Sequence, residues 1–317
     1  MSTAVSPSCD GSALTIDASV REALAFCVVC PGRRNDFEPF WTGLKRCRGC
    51  GHCVADVGTQ DVTLHELYGD RYFSGEEYAD YLAERSALEW QFRRRLKLLQ
   101  QFQPDGDLIE IGCAYGFFLG LARQHYQVCG YDIAPTPVEF ARTQLGVDAR
   151  CEEFISAAVP AASADVVVTW DTVEHLARPD LMLQQAARVL RPGGTLCVTT
   201  GDISSALARF QKARWRLIHP PTHLHYFSRA TMIRLLDRLG LQTVRVQYDE
   251  IRRSLRQIAF GLFAMGRPHP SWIYSLVARS PLADLCFSLN TYDIMLVVAR
   301  KPRASNRSSD SGRTRMT

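Results

Sequence analysis

Apolar residues recur along this chain in two rhythms. Four short runs, "DLIEI" (107–111), "QVCGYDI" (127–133), "ADVVVTW" (164–170) and "GTLCVTT" (194–200), have the length and composition of buried strands. Between them, "FFLGLARQHY" (117–126), "PVEFARTQL" (137–145) and "PDLMLQQAARVL" (179–190) repeat apolar residues every three or four positions, which predicts helices with one buried face. Pro137, Pro179 and Pro192 stand near element edges, where a missing N–H costs least. Strands alternating with helices predict a parallel sheet covered on both faces, with ligands at the carboxyl ends of its strands.

Outside this region the pattern changes. Residues 1–22 are mostly small and polar and are expected to be a disordered tail, and 303–317, "RASNRSSDSGRTRMT", read as a disordered basic tail. Residues 23–58 hold paired cysteines, 59–104 are aromatic and then strongly helical, and 105–302 carry the alternating domain. With 46% apolar and 22% charged residues the chain can bury a sizeable core. Its net charge of +4 is too small to argue for nucleic acid. No apolar run is long enough to span a membrane, and the N-terminus lacks a basic start followed by an apolar stretch. The expectation is a cytoplasmic protein without a transmembrane segment.

The turn after the first strand reads Gly112-Cys113-Ala114-Tyr115-Gly116. A dinucleotide fingerprint needs glycine at 112, 114 and 117, and here 114 is Ala and 117 is Phe, so a pyrophosphate cradle fits poorly. The neighbouring strand ends carry further chemistry. Glu110 precedes the turn, and Asp132 ends the second strand, where a carboxylate can accept both hydroxyls of a ribose. "CEEF" (151–154) offers an acid and an aromatic, and "TWDTVEHL" (169–176) brings Asp171, Glu174 and His175 to the same edge.

In these residues the chain resembles the class I S-adenosylmethionine (SAM)-dependent methyltransferases. Their E/D-x-G-x-G-x-G motif falls on Glu110, Gly112, Ala114 and Gly116, with Ala in place of the middle Gly. Their second-strand acid falls on Asp132, and their "LRPGG" signature on 190–194. "PPTHLHYFSRATMIRLLDRLGL" (220–241) is similar to a segment of the ubiquinone-biosynthesis-like subgroup. The resemblance implies an α/β fold: a seven-stranded Rossmann-like sheet whose last strand, "TYDIMLVVAR" (291–300), runs antiparallel. It also implies SAM as cofactor, contacted by Glu110, Gly112, Cys113, Ala114, Gly116, Asp132, Ile133, Glu153, Phe154, Asp171 and Thr172.

Cys27-x2-Cys30 and Cys47-x2-Cys50 have the spacing of a closed tetrahedral zinc site, so a structural Zn²⁺ in a ribbon-like segment is expected. His52 and Cys53 lie next to the second pair and are alternative ligands. For a nucleophile that must lose a proton, His175, His223 and His225 are the candidate bases. Tyr72, Tyr78 and Tyr81 are candidates for a lid over the cofactor or for inter-domain core, and Arg93 to Arg95 are expected to face mostly outward. The apolar, helix-like insertion 251–289 suits a cap on the acceptor pocket, a dimer contact or a membrane-facing surface; the first is preferred, and a homo-oligomer is compatible with it.

The reading these residues favour is O- or C-methylation of a small-molecule, sugar or polyketide-type acceptor. An RNA methyltransferase gripping RNA through the zinc segment is the alternative. It is disfavoured because "WDTV" stands where base amino-methylating enzymes carry [DN]-P-P-[YF]. A non-catalytic zinc- and SAM-binding protein is disfavoured by the intact Glu110, Gly112, Gly116 and Asp132.

Overall fold

The computed structural model describes residues 18–30, 34–57, 73, 78–264 and 271–303. Helix α1 (Ala18–Leu24) leads into strands β1 (Phe37–Pro39), β2 (Leu44–Cys47) and β3 (Cys53–Ala55). Its first residues lie inside the segment expected to be a tail. Helix α2 (Arg85–Gln100) precedes the alternating region: β4 (Gly106–Ile111), α3 (Phe117–Ala122), β5 (Tyr126–Asp132), α4 (Pro135–Leu145), β6 (Asp148–Cys151), β7 (Ala164–Trp170), α5 (Pro179–Val189) and β8 (Leu190–Gly201). Then follow α6 (Ala206–Gln211), β9 (His225–Tyr226), α7 (Arg229–Arg238) and β10 (Gln242–Tyr248). The chain closes with β11 (Ile251–Ser254), α8 (Leu255–Phe263), α9 (Trp272–Ala278), β12 (Cys286–Leu289) and β13 (Ile294–Arg300).

Seven strands form one sheet in the order β10-β13-β8-β7-β4-β5-β6. Strands β4 to β8 pair in parallel, and β13 runs antiparallel to both β8 and β10, as the sequence resemblance implies. The central strands are continuous apolar runs because helices bury both their faces. One face is packed by Met182, Leu183 and Ala186 of α5 with Leu235 and Leu236 of α7, the other by Leu88, Phe92, Leu96 and Leu99 of α2 with Phe118 and Leu119 of α3. The chain order reverses direction at β4, between β7 and β5, which is where a parallel sheet opens a crevice at its strand ends.

Local sequence explains the helix boundaries nearest that crevice. Pro135 and Pro179 open α4 and α5, where proline's missing N–H has no helical partner to lose, and Gly146 ends α4 in a left-handed conformation. Helix α7 starts with a reciprocal capping box between Ser228 and Thr231.

The small sheet, β1-β2-β3-β9, is antiparallel and has a mixed origin: three strands come from the cysteine-bearing segment and one from the "HLHYF" stretch. Cys27, Val28, Val29, Cys30 and Cys47 join the core under α5 and α7, so the cysteine segment packs directly onto the methyltransferase-like sheet. The insertion 251–289 holds two helices and also the antiparallel pair β11–β12. Among the described residues, no helix is long and apolar enough to cross a membrane.

Candidate active site

The crevice at the strand ends is a cavity of ≈ 420 Å³. Its floor is the turn after β4. Gly112, Ala114 and Gly116 all have positive φ, at 75°, 45° and 71°. A Cβ on Gly112 would sit 2.4 Å from Thr172 Oγ1, and one on Gly116 would sit 2.8 Å from Ala141 Cβ, so both positions need glycine for closeness as well as conformation. Ala114 pays the cost of a left-handed conformation and is held there: its N–H donates to Asp132 Oδ2 at 2.8 Å. Asp132 Oδ1 accepts from the Ala134 N–H at 2.9 Å. The carboxylate at the end of β5 therefore shapes the turn it faces.

Burial pushes the Asp132 carboxyl up in pKa, opposed by the Ala134 and Ala114 N–H groups. Glu110 beneath the turn is raised well above the usual range, first by burial and then by the Asp132 charge, and its Oε2 is buried with no hydrogen-bond partner among the described residues. A close-approach turn, two acids and an unsatisfied buried oxygen suit a cationic nucleoside with hydroxyls and an amino group. They do not suit a pyrophosphate.

Of the residues expected to hold cofactor, Gly112, Ala114, Asp132, Ile133, Glu153, Phe154, Asp171 and Thr172 line the cavity. Glu110, Cys113 and Gly116 stand behind its wall; Cys113 is buried and would collide with a side chain at Gly130. Tyr78 and Tyr81 also line the cavity, with Tyr81 stacked beside the turn on Tyr115 at 5.4 Å and on Phe117 at 5.7 Å. Tyr72 lies outside the described residues.

The three candidate bases separate. His175 lines the cavity, with Nδ1 donating to the Thr222 carbonyl at 3.0 Å. His223 stands behind it, 4.6 Å between ring centres, with Nδ1 bonded to the Leu217 carbonyl at 2.9 Å. The ligand atoms of Glu174, His175 and His223 all lie within 4.8 Å of one another. His225 points elsewhere: its Nδ1 is 3.0 Å from His52 Nε2, and it does not line the cavity.

Burial pushes both His175 and His225 down to about 4, and drives His223 well below its ordinary value with help from His219. Each is neutral in the fold and takes up a proton first in the unfolded chain. Stability is therefore full above pH 6.5 and falls as pH drops from there toward 4, by on the order of 3 kcal/mol each for His175 and His225, with His223 adding in the same direction. Urea midpoints should fall between pH 7 and pH 5, and equal midpoints would contradict this account.

Arg95 corrects the expectation of an outward basic run. It is 4% exposed, with Nε 2.7 Å from Asp249 Oδ2 and Nη2 3.3 Å from Asp171 Oδ2. Burial works against its charge, but the two carboxylates hold its pKa above the ordinary value. Residues 88, 92, 95, 96 and 99 share one helical face, so the spacing alone could have placed Arg95 inward. Arg93 pairs with Glu89 on the outer face, as a solvated charge should. Arg253 on β11, also a cavity residue, gave no such signal.

The four cysteines converge. Cys27 and Cys50 Sγ are 3.4 Å apart, Cys30 and Cys47 Sγ are 3.7 Å apart, and all four lie within 4.8 Å of one another. Tetrahedral Zn–S bonds of roughly 2.3 Å require sulfurs separated by about 3.8 Å. None of the four is in a disulfide. The contact with Cys50, and then burial, push the Cys27 thiol up, and burial pushes Cys30 up to about 11. Both shifts favour the protonated thiol at Cys27 and Cys30; a divalent metal is what makes four close thiolates tolerable. Cys53 bonds the Gly51 carbonyl, and His52 faces His225, so both turn away from the cluster.

A parallel sheet with a reversed β13, a glycine turn against an acid at β5 and a nucleoside-sized crevice define a class I methyltransferase layout. The methyltransferase-domain model Methyltransf_23 matches residues 78–246, over half of the chain, and the chain belongs to that family of SAM-dependent methyltransferases. It is 29% identical over 126 residues to a ubiquinone biosynthesis O-methyltransferase of Parvibaculum lavamentivorans, covering 38% of this chain and 49% of the relative. With the corresponding enzyme of a Chelativorans species it shares 31% over 99 residues, 29% of this chain and 39% of the relative. The chain thus spans half or less of the length of these two curated relatives. The YcgJ protein of Bacillus subtilis aligns in structure with a TM-score of 0.49 at 16% identity, covering 68% of this chain and 99% of that one.

Proposed function

We propose that this protein methylates an oxygen or carbon nucleophile on a small molecule of the sugar or polyketide-intermediate kind, and that its four cysteines hold a structural Zn²⁺. The observation that carries the reading is the cavity at the strand ends, whose lining brings Gly112, Ala114, Asp132 and His175 into one space. Bound SAM supplies a methyl group on a sulfonium, transferred in line to the nucleophile. Asp132 receives the ribose hydroxyls, and Glu153 and Phe154 border the base. Tyr78 and Tyr81 exclude water from the reacting end.

His175 is the base. Its Nδ1–H is engaged by Thr222, so the other ring nitrogen is the one that would take a proton, and burial keeps the ring neutral before the reaction. The acceptor proton passes to that nitrogen as the new bond to the methyl forms. With an acceptor in hand, His175→Ala should lower kcat about a hundredfold and leave S-adenosylhomocysteine (SAH) affinity unchanged. The acceptor class is tested by offering sugar nucleotides, phenolic polyketides and transfer or ribosomal RNA with labelled SAM. Label in RNA, and in none of the small molecules, would overturn the reading.

A further inference from the structure

Among the described residues three guanidinium groups line the cavity, and two of them are already neutralised. Arg95 is held by Asp249 and Asp171, and Arg178 forms a two-pronged pair with Asp180, both bonds at 2.8 Å. Arg253 differs. Among the described residues its guanidinium meets neutral groups: Nη1 donates to Gln91 Oε1 at 2.9 Å and to the Arg252 carbonyl at 3.0 Å, and its Cζ lies 5.7 Å from the Tyr78 ring centre.

The surroundings hold this cation in place before any ligand arrives. Gln91 is buried, and its amide donates to the Glu250 carbonyl at 3.4 Å, which leaves its oxygen for Arg253. The next residue, Ser254, is tied to buried Glu84 at the start of α2: its N–H donates to Glu84 Oε2 at 3.1 Å and its hydroxyl donates to Oε1. An arginine fixed by packing and neutral acceptors loses little further freedom when it pairs with an anion.

The charge distribution says which anion. Asp132 at the end of β5 and Arg253 on β11 line the same cavity, with Tyr81 also in its wall, and Glu110 stands behind the turn. SAM carries two positive groups, sulfonium and ammonium, and one carboxylate. Asp132 is the proposed partner of the ribose hydroxyls and Glu110 suits a cation, and the carboxylate calls for a cation with no acid of its own among the described residues. We propose that Arg253 anchors the carboxylate of the cofactor's methionine moiety. This gives the hairpin β11–β12 a part in cofactor binding, and it rests on the SAM-dependent reading above.

The test compares two nucleosides by calorimetry on the full-length, metal-loaded protein. SAH carries the carboxylate, and 5′-methylthioadenosine lacks the whole amino-acid end. Arg253→Met should weaken SAH about 10- to 100-fold and change 5′-methylthioadenosine less than about twofold, with Arg253→Lys recovering part of the loss. Unchanged SAH affinity in Arg253→Met overturns the proposal and hands the cation to the acceptor. Equal weakening of both nucleosides also overturns it, since that is loss of the cavity wall. A wild type that binds neither nucleoside would overturn the cofactor reading itself.

Discussion

Asp132→Ala should weaken SAH binding by a factor of about 100 to 1,000, while the protein remains folded by circular dichroism. Two losses add. The carboxylate is the proposed receiver of the ribose hydroxyls, and hydrogen bonds to a charged group are each worth about 1.5–3 kcal/mol. It also accepts the N–H groups of Ala114 and Ala134, and without it Ala114 has no reason to stay at a φ of 45°. Cofactor affinity thus falls by about 3–4 kcal/mol, close to a hundredfold for every 2.8 kcal/mol. Asp132→Asn should fall between wild type and alanine, because it keeps one acceptor oxygen but points an NH₂ at a backbone N–H. Wild-type affinity in the alanine variant would remove Asp132 from the site.

Cys47→Ser should cost the protein its metal and much of its stability. The purified wild type is expected to carry one zinc per chain by metal analysis, and the variant less than about a tenth of that. Structural zinc in small domains contributes on the order of 10 kcal/mol, and the surrounding core will retain part of this fold without it. A net loss of about 4 kcal/mol corresponds to a fall in Tm of about 10 °C for a domain of this size. The damage should reach the cavity. Strand β3 pairs with β9, the Ala55 N–H donates to the Leu224 carbonyl at 2.9 Å, and the same stretch carries His223 against His175. Metal-free wild type with an unchanged Tm in the variant would remove the zinc reading.

How much of this was legible beforehand follows from how local each signal is. The strand "ADVVVTW" is legible because Val166 to Trp170 are all buried, and a strand covered on both faces reads as a nearly continuous apolar run. The turn at 112–116 is legible because small residues at close-approach points cannot be replaced. The cysteine spacing is legible because two knuckles closing on one ion fix it. The acids at 110, 132 and 171 could be placed at strand ends from the alternation alone, but their partners could not. Arg95 looked like part of a solvated run until Asp171 and Asp249 were found across from it, from strand ends far along the chain.

The sequence by itself determined the class: a parallel sheet, a nucleoside turn with its acid, and a four-cysteine knuckle. Each is written in residues at most a few tens apart, where side-chain period and spacing constrain the backbone directly. The tertiary structure alone decided which histidine meets the cavity, that β9 completes the knuckle's sheet, and that Arg253 on a distant hairpin lines the same cavity. Those relations join segments 100 to 200 residues apart, as in the His52–His225 contact with its separation of 173. No local period encodes them, because they arise only when helices and strands are packed against one another and each buried charge has to find its partner.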